Sequence, residues 1–77
     1  MLFGQRSDEI VALQDILRYE GVYPNNIAST GYYGAITAKA VLAWQRKYKV
    51  ASETELVSLQ GRRVGKKTIA KLNELYA

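Results

Sequence analysis

The sequence predicts an all-α fold, a compact three-helix bundle whose helices are joined by two long loops. Three stretches of the chain carry apolar residues at helical spacing, no stretch alternates as a strand would, and the three stretches resemble one another. The composition agrees, because 48% hydrophobic and 23% charged residues are typical of a globular chain. At 77 residues, we expect a single domain over residues 1–77.

The first helix is predicted over residues 8–20. Ser7 is a suitable N-cap, and two acidic residues follow it at the positive end of the helix. Gly21 stands where a left-handed C-terminal residue belongs, and Val22 is placed to pack back on the helix. Pro24 then prevents the helix from continuing.

The second and third helices are predicted over residues 35–48 and 66–76. Each follows a glycine, Gly34 or Gly65, which we expect to supply a permissive backbone where the helix starts. The connections between the helices are long for so small a domain. A helical turn is expected in the second of them, over residues 53–59.

The three helices match at a constant offset of 31 residues. The matching positions are Ile10, Val41 and Leu72, then Leu13, Trp44 and Leu75, then Gln14, Gln45 and Tyr76. The predicted core consists of Ile10, Leu13, Leu17, Val41, Trp44, Leu72 and Leu75, with Ile16 and Ile69 at its flank. The chain therefore uses one supersecondary unit nearly three times.

Two glutamines, Gln14 and Gln45, fall on the apolar faces, where an unsatisfied amide would cost about 1–3 kcal/mol. The structural interpretation is that each amide bonds the backbone of a neighbouring loop. The functional alternative is that Gln45 forms the floor of a cleft and binds a ligand amide or sugar hydroxyl, with Arg46 beside it. Thr37 and Thr68, each three residues past a glycine, are expected to serve local capping and packing.

The chain contains no cysteine and no histidine, which excludes thiolate nucleophiles, Cys/His zinc sites and imidazole bases. We expect no catalytic residues, metal or cofactor, because the carboxylates look like caps and solvated helix faces. The net charge of +4 is concentrated after residue 38, where nine basic residues face three acidic ones. Such a surface attracts anionic partners in general, and a solvated surface without a partner is the alternative.

An ordered set of motifs runs through the chain: Leu13-Gln14, Thr30-Gly31-Tyr32-Tyr33-Gly34, Thr37, Ala40-Val41, Trp44-Gln45, and Val64-Gly65 with Thr68. This set closely resembles the three-helix peptidoglycan-binding domain attached to bacterial and phage wall hydrolases. The resemblance covers about residues 4–75, with Trp44 where the family usually has Phe. It departs over residues 51–63, which are longer and more polar than the usual connection.

The resemblance implies a non-catalytic module that tethers an attached domain or protein to the bacterial cell wall. A receptor for peptidoglycan needs aromatic faces, amide partners and positive charge. The candidate ligand residues are Tyr23, Tyr32, Tyr33, Gln45, Arg46, Arg62, Arg63, Lys66 and Lys67. The residues expected to be structural are Gln14, Gly34, Thr37, Trp44, Gly65 and Thr68. Among the tyrosines, Tyr32 is the better candidate for exposure, and Tyr33 is expected to cover the core as a lid.

The cations of residues 62–67 stand at the start of the third helix, where positive charge opposes the helix dipole. They therefore suggest an anion site for a stem-peptide carboxylate or a wall phosphate, with a plain solubility patch as the alternative. Two rival functions stay open, a basic three-helix nucleic-acid-binding domain and a protein-interaction domain. The sequence fits nucleic-acid binding poorly, because a long loop separates the later helices where a helix-turn-helix has a short turn. The first four residues do not form a signal peptide, and no apolar run is long enough for a membrane span. A wall, periplasmic or extracellular location is expected if the chain is a piece of an exported or phage protein.

Overall fold

The computed structural model describes residues 1–76, and it contains four helices. They are α1 (Asp8–Tyr19), α2 (Ala35–Lys47), α3 (Glu53–Leu59) and α4 (Lys66–Tyr76). The predicted all-α class is confirmed, although the count of three helices is one too low, because the turn expected over residues 53–59 is a helix in its own right. Over residues 1–76 no helix is long and apolar enough to cross a membrane.

Both ends of α1 have the predicted caps. The hydroxyl oxygen of Ser7 accepts a hydrogen bond of 3.2 Å from a backbone N–H of the first turn. Gly21 adopts φ +79°, and its N–H donates to the carbonyl oxygen of Arg18 at 3.0 Å. The N–H of Val22 donates to the carbonyl oxygen of Leu17 at 3.0 Å, which completes a Schellman motif. The sequence thus determines where α1 begins and ends.

Helix α3 is short and ends directly against α2. Ser52 caps its start with a side-chain oxygen 3.3 Å from the N–H of Glu55. After the helix, Gln60 and Gly61 take left-handed φ angles of 52° and 70°. A side chain at Gly61 would clash, because a Cβ there would lie 2.0 Å from the carbonyl oxygen of Ala38. Glycine at this position therefore lets the chain touch the α2 backbone.

The N-terminal segment, residues 1–7, runs between the two loops that precede α2 and α4. The N–H of Gly4 donates to the carbonyl oxygen of Tyr33 at 2.8 Å, and the N–H of Tyr33 donates to that of Gln5 at 2.9 Å. On its other side, the N–H of Phe3 donates to the carbonyl oxygen of Arg62 at 2.9 Å. This segment links the two repeated units through main-chain hydrogen bonds.

Most of the predicted core is buried, but its α4 portion is not. The buried members from α1 and α2 are Ile10, Leu13, Leu17, Val41 and Trp44. Leu72 lies half-buried at the edge of the core. The prediction was wrong for Leu75, which is 40% exposed. Ile69, expected at the flank of the core, is similarly exposed. Side chains from the loops fill the core instead, namely Tyr23, Tyr33 and Val64.

The expectation that Gly34 and Gly65 supply a permissive backbone was also wrong. Gly34 has φ −107° and ψ −164°, an extended conformation that any residue adopts, and Gly65 has no left-handed φ. Gly34 instead leaves room for an aromatic ring, since a Cβ there would lie 2.9 Å from Cε2 of Tyr32. At Gly65 the nearest atom to a Cβ would be 3.5 Å away.

Candidate functional site

The side chain of Gln14 is fully buried and all of its polar atoms are paired. Its Nε2 donates to the hydroxyl oxygen of Thr37 at 2.9 Å and to the carbonyl oxygen of Tyr32 at 3.0 Å. Its Oε1 accepts from the N–H of Gly31 at 2.9 Å. The amide therefore holds the loop before α2 in place, which agrees with the structural interpretation of this residue.

Gln45 repeats the donor half of this arrangement in the second unit. Its Nε2 donates to the hydroxyl oxygen of Thr68 at 3.1 Å and to the carbonyl oxygen of Arg63 at 3.4 Å. These partners lie 31 residues after those of the first amide. The acceptor half is missing, because Gln45 Oε1 has almost no solvent exposure and no hydrogen-bond partner within residues 1–76.

The unpaired oxygen follows from the presence of α3. In the first unit the acceptor is satisfied by the N–H of Gly31, and the matching position in the second unit is Arg62. The N–H of Arg62 donates to the carbonyl oxygen of Leu59 at 3.0 Å, at the end of α3. The extra helix thus takes up the donor that the repeat would have given to Gln45.

A cavity of about 320 Å³ lies beside Gln45, enclosed by α2, α3 and the start of α4. Its volume is at the small end of the range for ligand pockets, about 300–1,000 Å³. The cavity is lined by Gln45, Val50, Ala51, Glu55, Leu56, Leu59, Arg63, Gly65, Lys66, Lys67 and Thr68. It therefore combines an aliphatic wall with a cationic edge.

The cationic edge consists of Arg63, Lys66 and Lys67. The two lysines occupy the first turn of α4, which contains no acidic residue. One carboxylate opposes them, since Lys67 Nζ lies 3.8 Å from Glu55 Oε2 in an exposed ion pair. The balance of charge on the lining is positive, and the N–H groups of the first turn of α4 add to it. The arrangement favours an anionic group at this edge.

Two of the three candidate tyrosines are buried. Tyr33 is fully buried, its hydroxyl donates to the carbonyl oxygen of Gly61 at 2.5 Å, and burial raises its pKa. Tyr23 is buried under the guanidinium of Arg18, which lies 5.1 Å from the ring centroid. Their placement among the ligand residues is corrected: both rings fill the core. Tyr32 is 38% exposed, but it lies in the loop of the first unit and does not line the cavity.

The predicted polar and cationic residues divide into two groups. Four of them line the cavity, namely Gln45, Arg63, Lys66 and Lys67. Arg46 instead pairs with Glu53 across 2.7 Å at the surface. Arg62 is exposed, with its guanidinium 5.9 Å from the ring centroid of Phe3.

The aliphatic wall was missed by sequence reasoning. It consists of Val50 and Ala51 after α2, with Leu56 and Leu59 on α3. The two leucines are three residues apart and share one face of α3, so their spacing was a signal for it. The signal is weak, because the helix has only seven residues.

A second cluster joins the ends of three helices around Glu20. Its carboxylate accepts from Lys47 Nζ at 2.7 Å, from the hydroxyl of Tyr48 at 2.8 Å, and from the hydroxyl of Tyr76. These hydrogen bonds, the one from Lys47 first, lower the pKa of Glu20 to about 2. The same contact raises the pKa of Lys47. The three donor side chains all bond the Glu20 carboxylate, so the cluster holds the ends of α1, α2 and α4 together.

No group of three or more carboxylates that could hold a metal ion occurs in the part of the chain that the structure describes. The fold and the cavity thus define a small helical domain with a ligand-sized cleft beside Gln45. Residues 6–54 match the family described as peptidoglycan binding domain, and the chain belongs to that family. Membership gives it a general role in binding peptidoglycan and implies a setting at the cell wall or outside the cell. The family is a binding domain and is not itself catalytic.

No curated protein matches the chain. No solved structure matches it either. The family match ends within the first turns of α3, so most of the cavity lining lies beyond it.

Proposed function

We propose that the chain is a non-catalytic module that binds peptidoglycan through the cavity beside Gln45 and tethers an attached domain or protein to the wall. The observation that carries the proposal is a cationic, partly aliphatic cavity beside a buried and unpaired amide oxygen, in a member of a peptidoglycan-binding family. Peptidoglycan supplies N–H donors, carboxylates and methyl groups, and the cavity lining offers a complement to each.

The cations at the cavity are better explained by binding than by stability. Lys66 and Lys67 in a first turn oppose the helix dipole, at a cost of about 0.3–1 kcal/mol each. Helix α1 carries Asp8 and Glu9 at the same point, which is the choice that favours helix stability. A ligand carboxylate at the start of α4 would offset the cost, because it would face both the lysines and free N–H groups.

The proposal is tested by co-sedimentation with purified insoluble peptidoglycan. The wild-type chain is compared with the double variant Lys66→Gln/Lys67→Gln, which removes two charges from the cavity edge. The control is Lys39→Gln/Lys49→Gln, which removes two exposed charges that do not line the cavity. We expect the wild type and the control to sediment and the cavity variant to be lost from the pellet at moderate salt.

Equal retention of the cavity variant and the control would contradict the cavity as the binding site. Two further measurements test the rest of the proposal. A fluorescent protein fused to the chain is expected to stay on wall fragments through repeated washing, as a tether requires. No soluble fragments are expected in the supernatant, and their release would show that the chain cleaves the wall. Salt-sensitive binding to duplex DNA without sedimentation on walls would favour the nucleic-acid alternative instead.

A further inference from the structure

Gln45 supplies a hydrogen-bond acceptor that the chain itself leaves unused. The residue is only 4% exposed, and its Oε1 has no donor within residues 1–76. An unpaired buried amide oxygen costs about 1–3 kcal/mol, and the matching oxygen of Gln14 avoids this cost by accepting from Gly31. A ligand with an N–H group at the cavity floor would satisfy the oxygen in the same way.

The position of this acceptor favours the end of a ligand chain. Because Gln45 Oε1 has almost no exposed surface, a donor reaches it only by entering the floor of the cavity and displacing lining side chains. A narrow peptide terminus can insert in this way. The middle of a glycan strand continues in both directions, so it has no narrow end to insert at Gln45.

The other two sides of the cavity define the rest of the ligand. Lys66 and Lys67 at the start of α4, with Arg63 beside them, are suited to a carboxylate. Leu56 and Leu59 on α3 offer an aliphatic surface to a small side chain. An N–H group, a carboxylate and a short aliphatic side chain occur together in the C-terminal residue of a peptide.

We propose that the cavity takes the free C-terminal residue of a wall stem peptide, an inference that rests on the function proposed above. The amide N–H of that residue donates to Gln45 Oε1, and its carboxylate lies against the lysines of the α4 first turn. Its side chain packs on Leu59 and its neighbours. Helix α3 is therefore the element that sets ligand choice, because it forms the aliphatic wall and diverts the N–H of Arg62 from Gln45.

The test is a calorimetric titration of the wild-type chain with three probes. They are a synthetic stem tetrapeptide ending in alanine with a free carboxylate, the same peptide with a C-terminal amide, and a tetramer of N-acetylglucosamine. We expect the free acid to bind and the amidated peptide to bind at least about tenfold more weakly, since it lacks the charge-assisted contact. The sugar tetramer is followed by an NMR titration as well, and we expect it to leave the signals of the cavity residues unshifted.

Two variants assign the binding to the cavity. Gln45→Leu removes the acceptor, and Leu59→Glu places a carboxylate at a position that is 43% exposed, where folding tolerates the change. Both are expected to weaken binding of the free acid at least about tenfold. The variant Lys39→Gln/Lys49→Gln, which changes two exposed lysines outside the cavity lining, should bind it as the wild type does. If Gln45→Leu fails to fold, Leu59→Glu and the peptide pair carry the test alone.

The outcomes separate the two proposals. Equal binding of the free acid and the amide overturns the inference, and so does full binding by Leu59→Glu. If the chain sediments with intact walls but does not bind the free acid, the inference fails and the wall-binding function stands. If the chain does not sediment with walls, the proposed function fails, and the inference that rests on it fails too.

Discussion

The two repeated units differ in how the glutamine oxygen is paired, although both use the same pair of side chains. In each unit a glutamine donates to a threonine hydroxyl and to a loop carbonyl, Gln14 in the first and Gln45 in the second. The first amide also accepts from Gly31, whereas the second accepts nothing from residues 1–76. The backbone thus satisfies the glutamine oxygen of the first unit, and the glutamine oxygen of the second unit has no such donor among the described residues. A repeated motif can serve stability in one copy and recognition in the other.

The first turns of α1 and α4 differ in the sign of their charge. The first turn of α1 holds Asp8 and Glu9, which stabilise the positive end of the helix, whereas the first turn of α4 holds Lys66 and Lys67. Helix α1 therefore follows the rules of helix stability at its start, and α4 departs from them. Such departures are expected where a chain binds something.

The largest expected effect comes from the contact that places α3 against α2. Gly61→Ala should lower the free energy of unfolding by about 3 kcal/mol, because its Cβ would lie 2.0 Å from a backbone oxygen of α2 and its φ is +70°. Urea denaturation measures the change. Gly65→Ala is the control, since its Cβ meets no atom closer than 3.5 Å. Similar losses of unfolding free energy in the two variants would show that the close approach of Gly61 to the α2 backbone does not hold α3 in place.

The two glutamines should differ when each is replaced by leucine. Gln14→Leu is expected to cost about 3 kcal/mol, because it leaves the buried N–H of Gly31 without an acceptor and removes the donor to the Thr37 hydroxyl and the Tyr32 carbonyl oxygen. Gln45→Leu should cost about 1 kcal/mol, because it also removes an oxygen that is already unpaired. Denaturation of both variants measures the difference. A larger loss for Gln45→Leu would mean that the second amide is the main structural one.

The Glu20 cluster predicts a stability change at low pH. Since the pKa of Glu20 falls from 4.5 to about 2 on folding, its ionised form stabilises the fold above about pH 4.5. This contribution is lost as the pH falls towards 2. The difference in unfolding free energy between the wild type and Glu20→Gln should therefore shrink from pH 5 to pH 2, as thermal or urea denaturation can measure. A constant difference over that range would exclude a lowered pKa.

The smallest expected effect separates stability from binding at the start of α4. Lys66→Glu should raise the free energy of unfolding by about 0.3–1 kcal/mol, because an acid in the first turn favours the helix dipole. The same change should weaken sedimentation with peptidoglycan. Lys39→Glu is the control for a change of charge away from the cavity. Improved stability with unchanged sedimentation would favour the solubility patch over the anion site.

Local rules were enough to locate α1, α2 and α4 in the sequence. Ser7 and Gly21 mark the ends of α1 through hydrogen bonds to residues nearby in the chain, so their effect is visible without a structure. The roles of Gln14 and Thr37 were also within reach, because a polar residue on an apolar face must find a partner. The burial of Tyr23 and Tyr33 was harder to predict, since a tyrosine in a loop is compatible with either the core or the surface.

The sequence by itself determined the helical class, the repeat and the concentration of positive charge after residue 38. Only the tertiary structure decided which charged groups meet, because Lys67 Nζ and Glu55 Oε2 come within 3.8 Å of each other at the edge of the cavity. It also decided that Gln45 and Gln14 differ. Their immediate motifs are alike, and the difference depends on where the N–H of Arg62 finds its acceptor. That bond, to the carbonyl oxygen of Leu59, is local to the end of α3, but only the close approach of Gly61 to the α2 backbone places this end beside Gln45.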